Sequence, residues 1–274
     1  MELYSNTSFK CSKLITVSYS TSFSLGIKTL DKRFHEPIYG IYGFVRYADE
    51  IVDTFHDFDK KELLDKFSND TFEAIKTGIS LNPVLQSFQL VVNKYDISDE
   101  LINAFLRSMS MDLYNQSYQH NLYNEYIYGS AEVVGLMCLK VFAEGDQQTY
   151  DSLKPYAQKL GAAFQKVNFL RDMKSDFQER GRVYFPNISF NQFTVHEKQK
   201  IENDIRKDFE EALIGIKQLP QGARKGVYLA YVYYWTLFRK IRNMPPAKIL
   251  NERVRIPDNM KFILLLKSYI KHSF

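Results

Sequence analysis

Apolar residues recur along this chain at steps of three and four, and no sustained two-residue alternation appears. The pattern predicts helices over 9–19, 36–55, 60–77, 83–95, 98–116, 122–142, 151–179, 194–218, 221–243 and 258–272. Pro37 falls in the first turn of its helix, where a missing N–H costs nothing. Gly40 and Gly43 lie inside the same helix. Each costs roughly 1 kcal/mol there relative to alanine, so close packing or room for a ligand is the expected reason. Thr194-Val-His-Glu197 reads as a capping box, Gly181 as a helix end, and Met244-Pro-Pro246 as a break. Ser20-Thr-Ser-Phe-Ser24 is a hydroxyl-rich interruption, read as a loop or a helix cap. With no internal repeat, low-complexity segment or linker, residues 1–274 are expected to form a single all-α domain.

Two helices break the usual polar-out rule. In Gln165–Pro186, residues Gln165, Asn168, Asp172 and Asp176 follow steps of three, four and four, which puts two amides and two carboxylates on one face. Leu160, Phe164, Val167 and Leu170 flank that face, so it is expected to point inward, and Gly161 continues the stripe without a side chain. Inward carboxylates need a compensating cation, protonation or strong hydrogen bonds. Mg²⁺ fits best, because it takes carboxylate and amide oxygens and usually shares its shell with phosphate. Arg171, Lys174, Arg180 and Arg182 cluster nearby and could hold such a phosphate. In 41–53, Tyr42, Arg46, Asp49 and Asp53 form a second stripe with the same logic. Aspartates four apart are common in a chain with 32 acidic residues, and Asp53/Asp57 and Asp204/Asp208 share the spacing. The last pair sits in KIENDIRKDFEEA, which reads as a solvated surface.

Composition narrows the field of functions. Aromatics reach 15%, with 19 Tyr and 21 Phe. They are read either as dense core packing or as a cavity wall whose negative ring faces stabilise a carbocation. The net charge of +4 with dispersed basic residues argues against nucleic acid and suits an anionic ligand or membrane surface. Cys11 and Cys138 lack metal or CxxC spacing and suggest a reducing compartment. The first ten residues carry no apolar signal region. The longest apolar runs, such as 229–238, are about half of the roughly 20 residues that span a bilayer. The expected location is cytoplasmic or peripheral to the inner face of the membrane.

At this point the residues resemble the squalene/phytoene synthases, the head-to-head prenyl transferases. Asp49-Glu-Ile-Val-Asp53 is similar to their first DxxxD motif. Gln165-x-x-Asn168-x-x-Arg171-Asp172-x-x-x-Asp176 is similar to the second, and Arg180-Gly-Arg182-Val-Tyr184-Phe-Pro186 to the GRxYxP tail that follows it. The resemblance runs from Ser20 to Lys261 and implies an isoprenoid-synthase-type fold, a single-domain helical bundle around a central cavity. It further implies that Ser20, Ser22 and Phe23 contact diphosphate, that Tyr128 to Gly135 match a small-residue stretch beside the prenyl tail, that Tyr234 lies near the pocket, and that Arg253 matches a basic residue. Two positions depart from the family pattern: Tyr19, which is given no role, and Glu132, which replaces a small residue and either faces out or binds something. Asp112 is read as a local hydrogen-bonding residue rather than a ligand.

The resemblance implies the site. Asp49, Asp53, Asn168, Asp172 and Asp176 are expected to hold Mg²⁺ or Mn²⁺, with Arg171 and the four aspartates as the catalytic set. Ser20, Ser22, Phe23, Tyr42, Arg46, Tyr128, Gln165, Asn168, Arg182, Tyr234 and Arg253 are expected to contact substrate. Two prenyl diphosphates would join through a cyclopropyl diphosphate intermediate, with release of pyrophosphate. The first expectation is phytoene from two C20 geranylgeranyl diphosphates without NADPH, a step of carotenoid biosynthesis. The alternative joins two C15 farnesyl diphosphates to squalene or dehydrosqualene. A catalytically silent helical scaffold is the non-enzyme alternative, weakened by the two intact acidic pairs. A chain-elongating prenyl transferase would carry DDxxD motifs, which this sequence lacks. Neither nucleic acid nor an obligate protein partner is expected, and peripheral membrane association would serve product release.

Overall fold

A computed structural model describes residues 1–114, 119–186, 188 and 193–255. Among them every regular element is helical. The elements are α1 (Glu2–Tyr19), α2 (Thr21–Lys28), α3 (Lys32–Asp53), α4 (Lys60–Thr77), α5 (Pro83–Tyr95), α6 (Asp99–Tyr114) and α7 (His120–Ile127). After a π-helical turn, Tyr128–Glu132, come α8 (Val133–Ala143), α9 (Gln147–Arg180), α10 (Val195–Gln218), α11 (Gln221–Arg242) and α12 (Pro246–Asn251). The expected helix over 258–272 and most of the connector over 187–193 lie outside the described residues.

Several ends are set by the capping chemistry the sequence offers. The Thr194/Glu197 capping box forms in full at α10. The break at Ser20 is a cap: its Oγ accepts from the Phe23 N–H at 3.2 Å and starts α2. Asp31 caps α3 by accepting from the Arg33 N–H, so that helix begins four residues earlier than expected. Pro37 therefore sits inside α3 rather than in its first turn and forgoes one helical hydrogen bond. The first helix likewise starts at Glu2, because Ser8, Ser12 and Thr16 form a buried small-residue stripe that apolar periodicity does not register. Ser12 Oγ meets Ser87 Oγ of α5 at 2.7 Å. Gly43 packs on Ser12, and Gly40 on Val91 and the Ser87 carbonyl, so both glycines of α3 serve close helix packing.

The core is built largely from rings. Phe44 of α3 stacks on Phe88 of α5 at 3.9 Å and lies near Phe67 and Phe105. This cluster fixes the buried face of α3 and turns Tyr42, Arg46, Asp49 and Asp53 the other way. α9 runs alongside α3 in the same direction. Arg33 pairs with Glu144, just before α9, at 3.2 Å. At the other end Arg182, just past α9, pairs with Asp53 at 3.1 Å. The two acidic stripes thus end side by side.

The predicted helix over 122–142 is interrupted by its π turn. That turn sits where backbones approach most closely. A Cβ on Gly129 would lie 2.4 Å from the Ala104 carbonyl of α6, and one on Gly161 of α9 would lie 2.6 Å from the Ala131 carbonyl. From His120 to Ala143 this helical stretch is, by length and composition, long and apolar enough to cross a membrane, contrary to the expectation from apolar runs. Tyr, Asn and Gly split those runs without ending the helix, and over half of the stretch is buried in the fold.

Asp204 and Asp208 correct another expectation. Asp208 is buried, at 2% exposure, and accepts from Lys166 Nζ at 2.6 Å and Lys159 Nζ at 3.1 Å. Lys166 also reaches the half-exposed Asp204 at 2.5 Å. The solvated face of α10 therefore carries one acid that clamps α9. Breaking a buried ion pair leaves an uncompensated charge, so Asp208→Asn is expected to cost about 3 kcal/mol of stability. Asp204→Asn is expected to cost about 1 kcal/mol or less, because exposed pairs are screened. Equal losses for the two variants in urea denaturation would refute the distinction.

Candidate active site

A cavity of about 350 Å³ lies between α2, α3, α8, α9, α10 and α11, within the range of small-molecule sites. Its walls change character along both parallel helices. α3 contributes Ile38 and Ile41, then Tyr42, Arg46 and Asp49. α9 contributes Leu153 and Leu160, then Gln165 and Asn168. At 1.5 Å per residue the α9 lining runs about 22 Å, from apolar to polar. Cys138 lies in the wall, and burial pushes its thiol up to about 12, so it offers no thiolate at neutral pH.

The polar end is a hydrogen-bonded array. The Tyr234 hydroxyl donates to Asn168 Oδ1 at 3.3 Å, and Asn168 Nδ2 donates to Gln165 Oε1 at 3.3 Å. Tyr234 stacks on Phe164 at 4.0 Å, and Phe23 reaches both Tyr42 and Tyr234 at about 6 Å. Burial pushes the Tyr42 hydroxyl up to about 12, so it stays neutral. The aromatic richness thus serves core and cavity wall alike.

Asp49, Asp53 and Asp172 are each met by arginine. Arg46 pairs with Glu50 and lies 3.9 Å from Asp49, with Tyr19 under its guanidinium at 4.4 Å. Tyr19 and Glu50, neither assigned a role from sequence, therefore place Arg46. Arg171 donates from Nε and Nη2 to both oxygens of Asp172, and Arg253 Nε reaches Asp172 Oδ1 at 2.7 Å. Burial raises the Asp172 carboxyl, but the two guanidinium groups outweigh it and hold the group below the usual carboxylate range. Arg182 is buried and spans Asp53, the Asp112 carboxylate at 3.7 Å, the Asp112 carbonyl at 3.0 Å and the Tyr184 hydroxyl at 3.3 Å. Asp112 also accepts from Tyr126 at 2.7 Å, so it is the local hydrogen-bonding residue expected. Its part in holding Arg182, 70 residues away in sequence, has no signal in local spacing. Gly181, at φ 65°, ends α9 and turns Arg182 back.

Not every expected residue reaches the cavity. Phe23, Tyr42, Arg46, Asp49, Gln165, Asn168 and Tyr234 line it. Asp53, Asp172 and Arg253 belong to the cationic array at its polar end. Asp176 is buried beside Phe169, Met173 and Arg182 in a separate recess, so the α9 stripe curves away from the cavity at its last step. Ser20 caps α2 and bonds Tyr42, while Ser22 lies outside the lining. Tyr128 also lies outside it, near Glu132, Glu100 and Tyr150, because the π turn rotates it away. The small residues of this segment serve both packing and cavity, since Ser130, Ala131 and Gly135 line the wall. Glu132 binds inside the protein, accepting from Gln158 at 2.9 Å.

The donor set bears on the expected metal. Among the described residues no group of three or more His, Cys, Asp or Glu closes around an ion. The carboxylates come instead as Asp49 and Asp53 on α3 and Asp172 and Asp176 on α9, with the Asn168 amide one turn before Asp172. That set fits a hard divalent ion whose other ligands are phosphate oxygens. Arg46 Nε, in the cavity wall next to Asp49, is buried with no hydrogen-bond partner among the described residues. A phosphate oxygen would satisfy it.

Residues 16–259 match the family model described as squalene/phytoene synthase. The chain belongs to that family. Curated relatives include 4,4'-diapophytoene synthase of Staphylococcus haemolyticus (strain JCSC1435), 26% identical over 71% of this chain and 67% of its own length. Phytoene synthase 1 of Solanum lycopersicum is 27% identical over 94% of this chain and 66% of its own length. Phytoene synthase of Arthrospira platensis is 26% identical over 94% and 91%. Among solved structures, a dehydrosqualene synthase in complex with ligand superposes with a TM-score of 0.80 at 21% identity, over 97% of this chain and 98% of that one. The likeness shows that the squalene/phytoene synthase fold is shared.

Asp49→Asn and Asp172→Asn each remove a carboxylate charge from the polar end without removing volume. Each is expected to abolish turnover of prenyl diphosphates by squalene/phytoene synthase chemistry while circular dichroism still shows a helical fold; Asp172→Asn, which leaves Arg171 and Arg253 without their partner, is expected to melt earlier than wild type as well. Asp204→Asn, outside the cavity lining, is the control and is expected to turn over normally. Equal inactivation of all three variants would show that the chosen pairs are not the functional ones.

Proposed function

We propose that this prenyl transferase joins two geranylgeranyl diphosphates head to head into phytoene, releasing pyrophosphate. The observation that carries the reading is the gradient of the cavity: along about 22 Å of α9 its wall passes from apolar residues to Gln165 and Asn168, with Arg46 and Asp49 at the same end and Asp53, Asp172, Arg171, Arg182 and Arg253 beside it. A prenyl diphosphate has the same division, an apolar tail and an anionic head. The family and its curated phytoene synthase relatives support the reaction class.

Asp49, Asp53, Asn168 and Asp172 would hold Mg²⁺ or Mn²⁺, while Asp176, in its separate recess, would support them from outside the cavity. Bound there, the metal supplies Lewis-acid stabilisation of the departing diphosphate. The chain's own residues do the rest. Arg46 and Arg171 place fixed positive charge where negative charge grows on the leaving group. Gln165 and Asn168, aligned by Tyr234, set polar contacts at the head of the channel. The stacked faces of Phe164 and Tyr234 line the wall where an allylic cation would form, and ring faces attract cations. The apolar walls exclude water from that cation. The neutral Cys138 thiol gives no nucleophile to intercept it.

Condensation of two farnesyl diphosphates is the second reading. It is favoured by the relative named 4,4'-diapophytoene synthase and the structure titled as a dehydrosqualene synthase. Tail length discriminates, since each added C5 unit buries further apolar surface worth roughly 25 cal/mol per Å². Gly26 and Ile27 in the lining place no aromatic ring across the channel there.

Purified protein incubated with Mg²⁺ and geranylgeranyl diphosphate is expected to yield a C40 hydrocarbon in equal amount with and without NADPH. A C30 product from farnesyl diphosphate with no C40 product would replace the first reading by the second. No hydrocarbon from either substrate would refute both: with Mg²⁺-dependent stabilisation by pyrophosphate intact it would point to a different prenyl acceptor, and without it to a scaffold.

Metal removal provides a separate test. Turnover is expected to vanish in excess chelator, to return with Mg²⁺ or Mn²⁺, and to return poorly with the larger Ca²⁺. Full turnover in chelator would rule out the metal-dependent reading.

A further inference from the structure

Asp172 is covered on both oxygens by guanidinium groups. Arg171 takes both of them, and Arg253 takes Oδ1 at 2.7 Å. A metal ion at this carboxylate must share those oxygens with two guanidinium groups, and it binds more easily where one of them gives way. Three arginines engage Asp172 and Asp53, and they differ in their freedom to move. Arg182 is held by Asp53, Asp112 and Tyr184, with its side chain 9% exposed. Arg171 is the chain neighbour of Asp172 and grips it with two nitrogens. Arg253 lies on the non-helical segment after α12, and its side chain is 49% exposed. Its one described bond is to Asp172.

We propose that Arg253 is an exchangeable cap: it covers Asp172 in the ligand-free protein and passes to the diphosphate when metal and diphosphate arrive. This rests on the reading of the site given under Proposed function. Arg171, Arg253 and Asp172 together carry a charge of about +1, which repels an approaching divalent cation. Withdrawal of Arg253 neutralises the group and uncovers Oδ1. The released guanidinium suits a diphosphate oxygen by charge and by its fork of N–H donors. Metal opens the way for Arg253 to meet the anion, and the anion draws Arg253 off the metal's ligand. Each ligand therefore strengthens the other's binding, as linkage requires.

The test measures binding in the full chain, with no turnover. Mn²⁺ alone is titrated by electron paramagnetic resonance of the free ion, and inorganic pyrophosphate is titrated calorimetrically at saturating Mg²⁺. Wild type, Arg253→Gln and Lys248→Gln are compared. Lys248 lies on α12 and pairs with Glu252, so it controls for loss of any nearby positive charge. Arg253→Gln is expected to bind Mn²⁺ alone roughly five-fold more tightly than wild type and pyrophosphate roughly five-fold more weakly. Lys248→Gln is expected to match wild type in both. Unchanged or weaker Mn²⁺ binding in Arg253→Gln overturns the cap while leaving the site reading intact. Equal tightening in Lys248→Gln also overturns it, as a general charge effect. Wild type that binds neither Mn²⁺ nor pyrophosphate overturns the site reading and the cap together.

Discussion

The accumulation of negative charge at one end of two parallel helices is the constraint on which this structure depends. Asp53 ends α3 with Asp49 one turn before it, and Asp172 and Asp176 lie about two turns and one turn before the end of α9. The C-terminal end of a helix already carries about half a negative charge from its backbone dipoles, felt within the last turn. At Asp53 side chain and backbone therefore push the same way, and for all four acids the cost is greatest where water is scarce. The protein answers with Arg46, Arg171, Arg182 and Arg253, each placed by a different element. A site under this strain is suited to a ligand that brings cations with it.

Holding α3 and α9 parallel requires the rest of the bundle. The ring cluster around Phe44 fixes α3 from behind. The Lys166–Asp208 pair fixes α9 against α10. Close backbone approach at Gly161 brings the π turn against α9, while Ser130 and Ala131 beside that contact remain in the cavity wall. Tight packing and open volume thus lie one side chain apart. That arrangement explains how a chain of 274 residues encloses a channel without thinning its core.

Fold class and the two polar stripes were legible because helical period alone puts i, i+3 and i+4 on one face. Gln165, Asn168, Asp49 and Arg46 lie where that geometry sends them. What spacing could not reveal were partners from distant elements. Asp208 shares its spacing with surface pairs, and only the approach of Lys166 across the α9–α10 contact makes it a buried clamp. Tyr128 lies in a segment that matches a cavity-lining motif, yet a five-residue π turn rotates it away. The start of α1 was missed because its buried face is made of serine and threonine, which a count of apolar residues passes over.

The tail of the second motif shows how one short segment divides between support and chemistry. Gly181 adopts the left-handed conformation that stops α9. Arg182 then turns inward, where Asp112 and Tyr184 hold it against Asp53. Tyr184 stacks on Phe169 of α9 at 4.2 Å and on Tyr126 of α7 at 5.1 Å, which seals this network from water. An arginine so enclosed offsets the charge of Asp53 from one side, and its described bonds all go to protein partners. The arginines with reach are those that sequence spacing places apart from this tail: Arg46, whose Nε lies in the cavity wall, and Arg253, half exposed at its polar end. The division follows from burial: a charge locked among protein partners stabilises the empty site, and a charge left at its edge can change partners when the site fills.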